Sequence, residues 1–209
     1  MRRIGWALGL AGLMAAPPAL AGQAAADSGR ADNLPTDKGL LSLSNATVSL
    51  SNGNLQIVFI PLDERILRLI TQDSYRSMER LLDQQRKALD SAAAAVGAST
   101  PGIAFVSFQG LAANTRFEPD QLTLTYQGQQ IRPVAWVPLS PTFSNRQLDL
   151  RQQVQALFIY RREIPVRESF NVTYLAATSD DWGSRLPRFE TERSRILGAA
   201  RARADTTSH

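Results

Sequence analysis

The chain has 209 residues, no cysteine, a single histidine and a formal net charge of +4. Thiol nucleophiles, thiolate metal sites and disulfide staples are therefore excluded, and an apolar core must hold the fold together. With 44% hydrophobic and 20% charged residues the composition is that of an ordinary globular chain, long enough to bury a sizeable core.

Residues 1–21 have the three parts of a secretory signal peptide. Arg2 and Arg3 form a positive start, residues 4–16 are apolar, Pro17 and Pro18 break any helix, and Ala19-Leu20-Ala21 is an A-x-A cleavage site. The apolar run is shorter than the roughly 20 residues that cross a bilayer, so cleavage before Gly22 is expected rather than anchoring. Removing Arg2 and Arg3 takes the 23 basic residues to 21 against 19 acidic, a balance of +2. Such a chain is not built as a general polyanion binder. The expected location is periplasmic or secreted, and no cysteine is present to carry a lipid. Residues 22–39 are rich in Ala, Gly, Asp, Ser and Pro without periodicity, and read as a flexible leader.

A β-hairpin and a helical segment are expected over residues 40–102. The hairpin runs over 47–60, with Asn52-Gly53 suited to a type I′ turn. Its second arm, Leu55 to Ile60, is apolar on both faces and should be covered on both sides. Residues 63–96 read as helical, with Asp63 or Ser74 as N-cap and a break near Asp73-Ser74. Tyr75, Met78, Leu82, Leu89, Ala92 and Val96 form one apolar stripe at helical spacing, which suits packing on the chain's own sheet better than docking to a partner. Asp83 and Lys87 stand four apart in the favourable order for an ion pair.

Residues 103–183 hold short strands with period-2 alternation. The nearly all-apolar run 103–108 is expected to be central. In 121–126, Leu122, Leu124 and Tyr126 face inward. Pro133 makes 131–137 an edge strand or a broken one, guarded against unwanted pairing by Arg132, Pro133 and Pro138. Residues 148–150 suggest a short edge strand, and 154–160 and 169–174 two more strands. The fold class read from this pattern is α+β: a predominantly antiparallel β-sandwich of immunoglobulin-like type, preceded by the β-hairpin and a long amphipathic helix, with a short C-terminal helix. Residues 180–183 read as a loop, and 184–209 as an Arg-rich C-terminal helix and tail.

Catalytic chemistry finds little footing. His209 sits in a polar tail that offers an imidazole neither packing nor a second hydrogen bond, so a Ser–His–Asp triad is not expected. Ser–Lys variants remain formally open, but Lys38 lies in or near the leader and Lys87 on the charged side of a helix, where a buried catalytic amine is not expected. Asp180-Asp181 lacks the spaced ligands of a calcium loop, and no Gly-rich phosphate cradle or dinucleotide fingerprint occurs. No catalytic residue, metal site or cofactor is assigned. Trp136, Asp181 and Trp182 are the candidate binding contacts, the two indoles as platforms for a sugar or peptide or else as core anchors.

These observations lead to an exported, non-catalytic binding or interaction module of the bacterial envelope. Its expected partner is a protein or an envelope polymer, with peripheral contact to the envelope and no nucleic acid. One alternative is a carboxylate-dependent hydrolase of an envelope glycan, using a pair among Glu118, Glu163, Glu168, Asp180 and Asp181. Another is a polyanion-binding protein that uses the arginines near the C-terminus, with Arg161-Arg162 as a second basic spot.

Overall fold

In the computed structural model, residues 34–35 and 38–207 are described, with side chains to residue 202. The expected signal peptide, 1–21, lies outside them. The chain is α+β, with three antiparallel sheets. A hairpin opens it: β1 (Val48–Asn52) pairs with β2 (Leu55–Pro61). Asn52 pairs with Leu55, so Gly53 and Asn54 are the turn's two central residues. Only Gly53 takes a positive φ, 56°, which is the sign pattern of a type II′ turn rather than the expected type I′ at Asn52-Gly53. A type I′ pattern occurs instead at Gln127 and Gly128, with φ of 50° and 75°.

Both arms of the hairpin join the largest sheet, whose order is β1-β2-β3-β9-β7. The apolar run 103–108 lies in its central strand, β3 (Gly102–Gly110), between β2 and β9 (Gln153–Tyr160). The strand β7 (Pro133–Pro138) is the edge, as Pro133 demands. Two residues at 115–116, β4 (Thr115–Arg116), pair with β8 (Gln147–Leu148) as a separate ribbon. A four-stranded sheet has the order β11-β10-β5-β6. It comprises β5 (Leu122–Tyr126), β6 (Gln129–Ile131), β10 (Asn171–Tyr174) and β11 (Ala177–Ser179).

Register sorts the side chains. Val48, Phe59, Val106, Ala156 and their same-face neighbours Phe108, Phe158 and Tyr160 are all fully buried on one face of the large sheet. Leu122, Leu124, Val172 and Tyr174 do the same for the four-stranded sheet. Rings from the two sides meet: Phe108 and Tyr174 centroids are 6.0 Å apart, and Phe59 and Phe170 are 6.4 Å apart. Phe117 stacks on Phe108 at 4.7 Å, and Phe143 meets both. This apolar and aromatic interior supplies the cohesion that a disulfide-free chain requires.

Helices complete the body. Asp63 caps the short α1 (Glu64–Leu67), its Oδ1 accepting from the Arg65 N–H at 2.9 Å. The helical break falls at residues 68–71, not at Asp73-Ser74. There Gly39 and Leu41 bridge to Thr71 and Ile70 in parallel, and the Leu41 and Thr71 N–H groups donate to the carbonyls of Leu69 and Leu41. That backbone serves a strand-like ladder and is lost to the helix. The long α2 (Gln72–Ala95) then lies against β7 and β9, burying Tyr75, Leu89 and Ala93 from the expected side. Leu157 and Ile159 of β9 are fully buried on the face opposite Phe158. The amphipathic stripe is thus used within the fold. Asp83 pairs with Arg86 at 2.5 Å rather than with Lys87.

Two further expectations need correction. First, the C-terminal helix is not short: α3 (Asp181–Thr207) spans 27 residues and takes in most of the supposed 180–183 loop. Pro187 lies inside this helix, beyond the first turn that proline suits best. Trp182, upstream of it, is fully buried with Phe189 and Ile196, and that burial holds the helix together across the proline. Second, the end of the leader is folded. Leu34 is fully buried and its carbonyl accepts from Arg68 Nη1 at 2.6 Å. Gly39 passes so close to the Leu69–Ile70 backbone that a Cβ would lie 2.3 Å from the Ile70 oxygen. The segments 40–102 and 103–183 share one sheet, in which β2 and β3 are adjacent strands, and the doubly apolar second arm of the hairpin is covered there.

Candidate functional site

Between Ile131 and Pro133 the chain changes sheets. The strand β6 pairs with β5 of the four-stranded sheet, and after Arg132 the strand β7 pairs with β9 of the large one. One extended stretch therefore edges both sheets. At the crossing, Pro133 stands opposite Tyr160 and Ala135 opposite Ile159, which leaves Val134 as the extra residue of a β-bulge. A bulge re-aims the side chain it carries. Here Val134 joins Ile131 in lining a cleft of about 500 Å³, together with Gln129, Gln130, Arg132, Arg161 and Arg162.

The arginine pair is held in place from below. Arg161 and Arg162 begin the turn that follows β9, and the Gly102 N–H donates to the Arg162 carbonyl at 3.0 Å. Any Cβ at Gly102 would sit 2.6 Å from that carbonyl and 2.8 Å from the Ile164 nitrogen, so only glycine lets the turn close over β3. Arg65 fixes the far side of the turn: its Nη2 reaches Glu163 at 3.0 Å and the Ile164 carbonyl at 3.4 Å, while Asp63 holds the same guanidinium at 2.5 Å. Hydrogen bonding to Asp63 raises the Arg65 pKa above its usual value. The carboxylate nearest in sequence to the arginine pair is thereby turned to another cation.

Three exposed arginines thus line the cleft beside Val134 and the nearly buried Ile131. Arg162 Nη2 donates to Gln129 Oε1 at 3.2 Å and Arg132 Nη2 to Gln130 Oε1 at 3.5 Å. Among the described residues none of the three is ion-paired with a carboxylate. Glu168, near Arg162, instead accepts from the Tyr126 hydroxyl at 2.5 Å, a hydrogen bond that raises the tyrosine pKa. Guanidinium groups stay charged at any physiological pH and present flat forks of donors. The cleft is thus a fixed positive site with an apolar base, suited to holding an anion rather than to moving a proton.

The contacts expected from sequence do not come together. Trp182 is fully buried. Its Nε1–H donates to the Val166 carbonyl at 3.1 Å, and its ring lies 5.0 Å from Phe170 and 5.2 Å from Phe189. It offers no surface to a sugar or peptide and is a core anchor, as large indoles usually are. Trp136 belongs to a different ring cluster, 6.1 Å from Phe158, with the Arg146 guanidinium 5.2 Å over its ring. Asp181 is exposed in the first turn of α3 and lies 3.7 Å from Arg185.

The other charged candidates are engaged elsewhere. Glu118 pairs with Arg146 at 3.3 Å, and the backbone N–H of Glu118 donates to the Tyr174 hydroxyl at 2.8 Å. Among the arginines of α3, Arg185 donates to the carbonyls of Ser44, Asn45 and Thr47, and burial lowers its pKa. Arg188 reaches Asn45 Oδ1 at 3.3 Å. Arg195 donates to the Lys38 carbonyl and binds Glu192 at 2.6 Å, and Glu192 in turn accepts from the Leu40 N–H at 2.8 Å. Arg193 is only 7% exposed. These groups tie α3 to residues 38–47. Among the described residues no cluster of three or more His, Cys, Asp or Glu gathers to hold a metal ion, and no helix is long and apolar enough to cross a membrane.

Sequence reasoning had met the cleft's arginines singly, Arg132 as an edge guard and Arg161-Arg162 as a basic spot. Nothing in their spacing signals that a sheet-to-sheet crossing brings them together. No protein-family model matches the chain, and neither a curated protein nor a solved structure matches it.

Proposed function

We propose that this chain is an exported, non-catalytic binding module of the bacterial envelope that meets an anionic partner through the cleft formed by Arg132, Arg161 and Arg162. In this reading residues 1–21 are removed on export and the module works in the periplasm or outside the cell. The partner is a protein or an envelope polymer that presents negative charge. The observation that carries the reading is a cleft lined by three exposed arginines, none with a carboxylate partner among the described residues: Arg132 at the sheet crossing, and Arg161 and Arg162 on a braced turn. Uncompensated like charges at one spot repel, and an anionic ligand relieves that repulsion.

The same proposal takes the two larger sheets as the halves of an immunoglobulin-like sandwich. The ring contacts between Phe108 and Tyr174 and between Phe59 and Phe170 support it, as does the single stretch that edges both sheets.

The test is titration of the isotope-labelled protein, residues 22–209, with polyglutamate, followed by amide chemical shifts. Shifts should concentrate at residues 129–134 and 161–162. Affinity should fall steeply between 50 and 200 mM salt, since the contacts are exposed charges. Shifts centred on α3 instead would refute the cleft and favour the arginines of that helix.

A further inference from the structure

We infer that the outer face of the large sheet, at the end away from the arginine cleft, binds an extended neutral glycan. This second site does not depend on the binding role proposed for the cleft.

Register places its groups. Leu50, Ile57, Phe108 and Val154 stand side by side across β1, β2, β3 and β9 and are buried in the core. Successive side chains of a strand point to opposite faces, so the residues next to these point outward. The pairings set Ser51 beside Gln56, Gln56 beside Gln109, and Gln109 beside Gln153. Adjacent strands lie about 4.8 Å apart, so this row runs about 14 Å across the sheet. A second row holds Ser49, Val58, Ser107 and Gln155 in the same order of strands. The two rows touch: Gln153 Nε2 donates to Ser107 Oγ at 2.6 Å. Ser49, Ser51 and Gln153 are exposed, and Gln56, Gln109 and Gln155 are half-buried, so solvent reaches the face. Gln153 opens β9 and Arg161 follows its last residue, so the length of that strand separates this face from the cleft.

The chemistry follows from what the face lacks. In a chain with 20% charged residues, β1, β2, β3 and β9 contain no Asp, Glu, Lys or Arg. Exposed positions are where such residues ordinarily collect. The side-chain amides of Gln56, Gln109 and Gln155 make no hydrogen bond among the described residues. Each amide offers two N–H donors and an acceptor oxygen, and a sugar hydroxyl likewise both gives and takes. An ionic partner would lose water here with no opposite charge facing it. An apolar partner would strand the amides without water. A neutral polyol meets neither penalty. Val58 and the half-buried Phe105, which also points outward, give the C–H faces of sugar rings a non-polar contact. The row is longer than one sugar ring, and its straight course suits an extended β-1,4-linked chain better than a coiled α-1,4-linked one. A second copy of this chain is a poorer occupant, because the cores of subunit interfaces are enriched in apolar and aromatic side chains.

The test titrates isotope-labelled protein, residues 22–209, with cellohexaose, maltohexaose and glucose. Amide shifts from cellohexaose should concentrate at residues 49–51, 56–58, 107–109 and 153–155 and at the glutamine side-chain amides. Cellohexaose should bind at least about 10-fold tighter than glucose, and equally at about 50 and 200 mM salt, since no ion pair forms. Gln56→Ala and Gln109→Ala should each weaken binding about 3- to 10-fold through lost hydrogen bonds. Gln109→Glu, of the same size, should weaken it further by placing a charge under a neutral ligand. Far-UV circular dichroism verifies that the variants fold, and the shift map and salt series of the unmutated chain stand without them. Equal affinity for the two hexasaccharides at this face would overturn the extended-chain part and leave the glycan site. Shifts from neither hexasaccharide at these strands would overturn the site itself. Self-association in sedimentation that Gln109→Glu disperses would make the face an interface between copies and overturn the glycan assignment. None of these outcomes bears on the polyglutamate titration, so the two sites stand or fall separately.

Discussion

Replacing Trp182 with alanine separates a core anchor from a ligand platform. The indole is fully buried, lies 5.0 Å from Phe170 and 5.2 Å from Phe189, and its N–H is bonded to the Val166 carbonyl. Truncating a buried aromatic of this size costs about 3–5 kcal/mol through lost transfer energy and the cavity left behind. The Val166 carbonyl, also buried, loses its indole donor, which by itself is worth about 1–3 kcal/mol. These contributions overlap, so the expected loss is about 4 kcal/mol, and for a chain of this size about 8–16 °C in Tm. Trp182→Phe keeps most of the ring stack and loses only the N–H and part of the volume, so it should cost about 1–2 kcal/mol. Urea unfolding at 25 °C and pH 7, read by far-UV circular dichroism, measures both. A loss under about 1 kcal/mol for the alanine variant would place the indole at a surface and restore it as a candidate contact, because exposed substitutions stay within about 0.5 kcal/mol.

Other outcomes follow from particular atoms. The Tyr160 hydroxyl is buried without a hydrogen-bond partner among the described residues, and burial raises its pKa far above the usual value. Tyr160→Phe should therefore stabilise the fold, by about 1 kcal/mol in urea unfolding, and destabilisation would reveal a partner for the hydroxyl. The Arg195 guanidinium hydrogen-bonds the Glu192 carboxylate and holds its pKa below the usual range. A depressed folded-state pKa means that this stabilisation is complete above the unfolded value of about 4.3 and is lost as pH falls through the folded one. Glu192→Gln should cost about 1–3 kcal/mol at pH 7, and the gap to the wild type should narrow in melts taken below about pH 4. A gap that widened in acid would contradict the assignment. Gly102→Ala must displace the turn bearing Arg161 and Arg162, since its Cβ would meet backbone at 2.6 Å. It should weaken polyglutamate binding several-fold although residue 102 does not line the cleft; unchanged affinity would show that the turn's position does not matter.

Much of the fold was legible because local patterns and tertiary demands agreed. The apolar run 103–108 could only be central, and it is flanked by strands on both sides. Pro133 required an edge or a break, and both occur, since the stretch changes sheet beside it. The Asp63 cap and the α2 stripe followed from helix periodicity. The errors share a cause as well. The break before α2 is fixed by Gly39 and Leu41, about thirty residues upstream, through a ladder that no local window contains. The helix through Pro187 survives on the burial of Trp182, Phe189 and Ile196. Asp181 and Trp182, adjacent in sequence and grouped as contacts, differ completely in exposure because helix α3 turns one to the core and the other to solvent.

By itself the sequence determined the α+β class, the alternation of the strands, the central run and the absence of thiol chemistry. Those depend on residue type and on spacing along the chain, which are local quantities. Only the tertiary structure decided which charges are engaged and which stand free. The arginines that look most conspicuous in the sequence, those of α3, are largely tied to residues 38–47. The three that line the cleft come to it because one stretch crosses between sheets beside the end of a distant strand. Partner choice among like-charged side chains is set by distance and burial in three dimensions, and neither is encoded in the order of the residues alone.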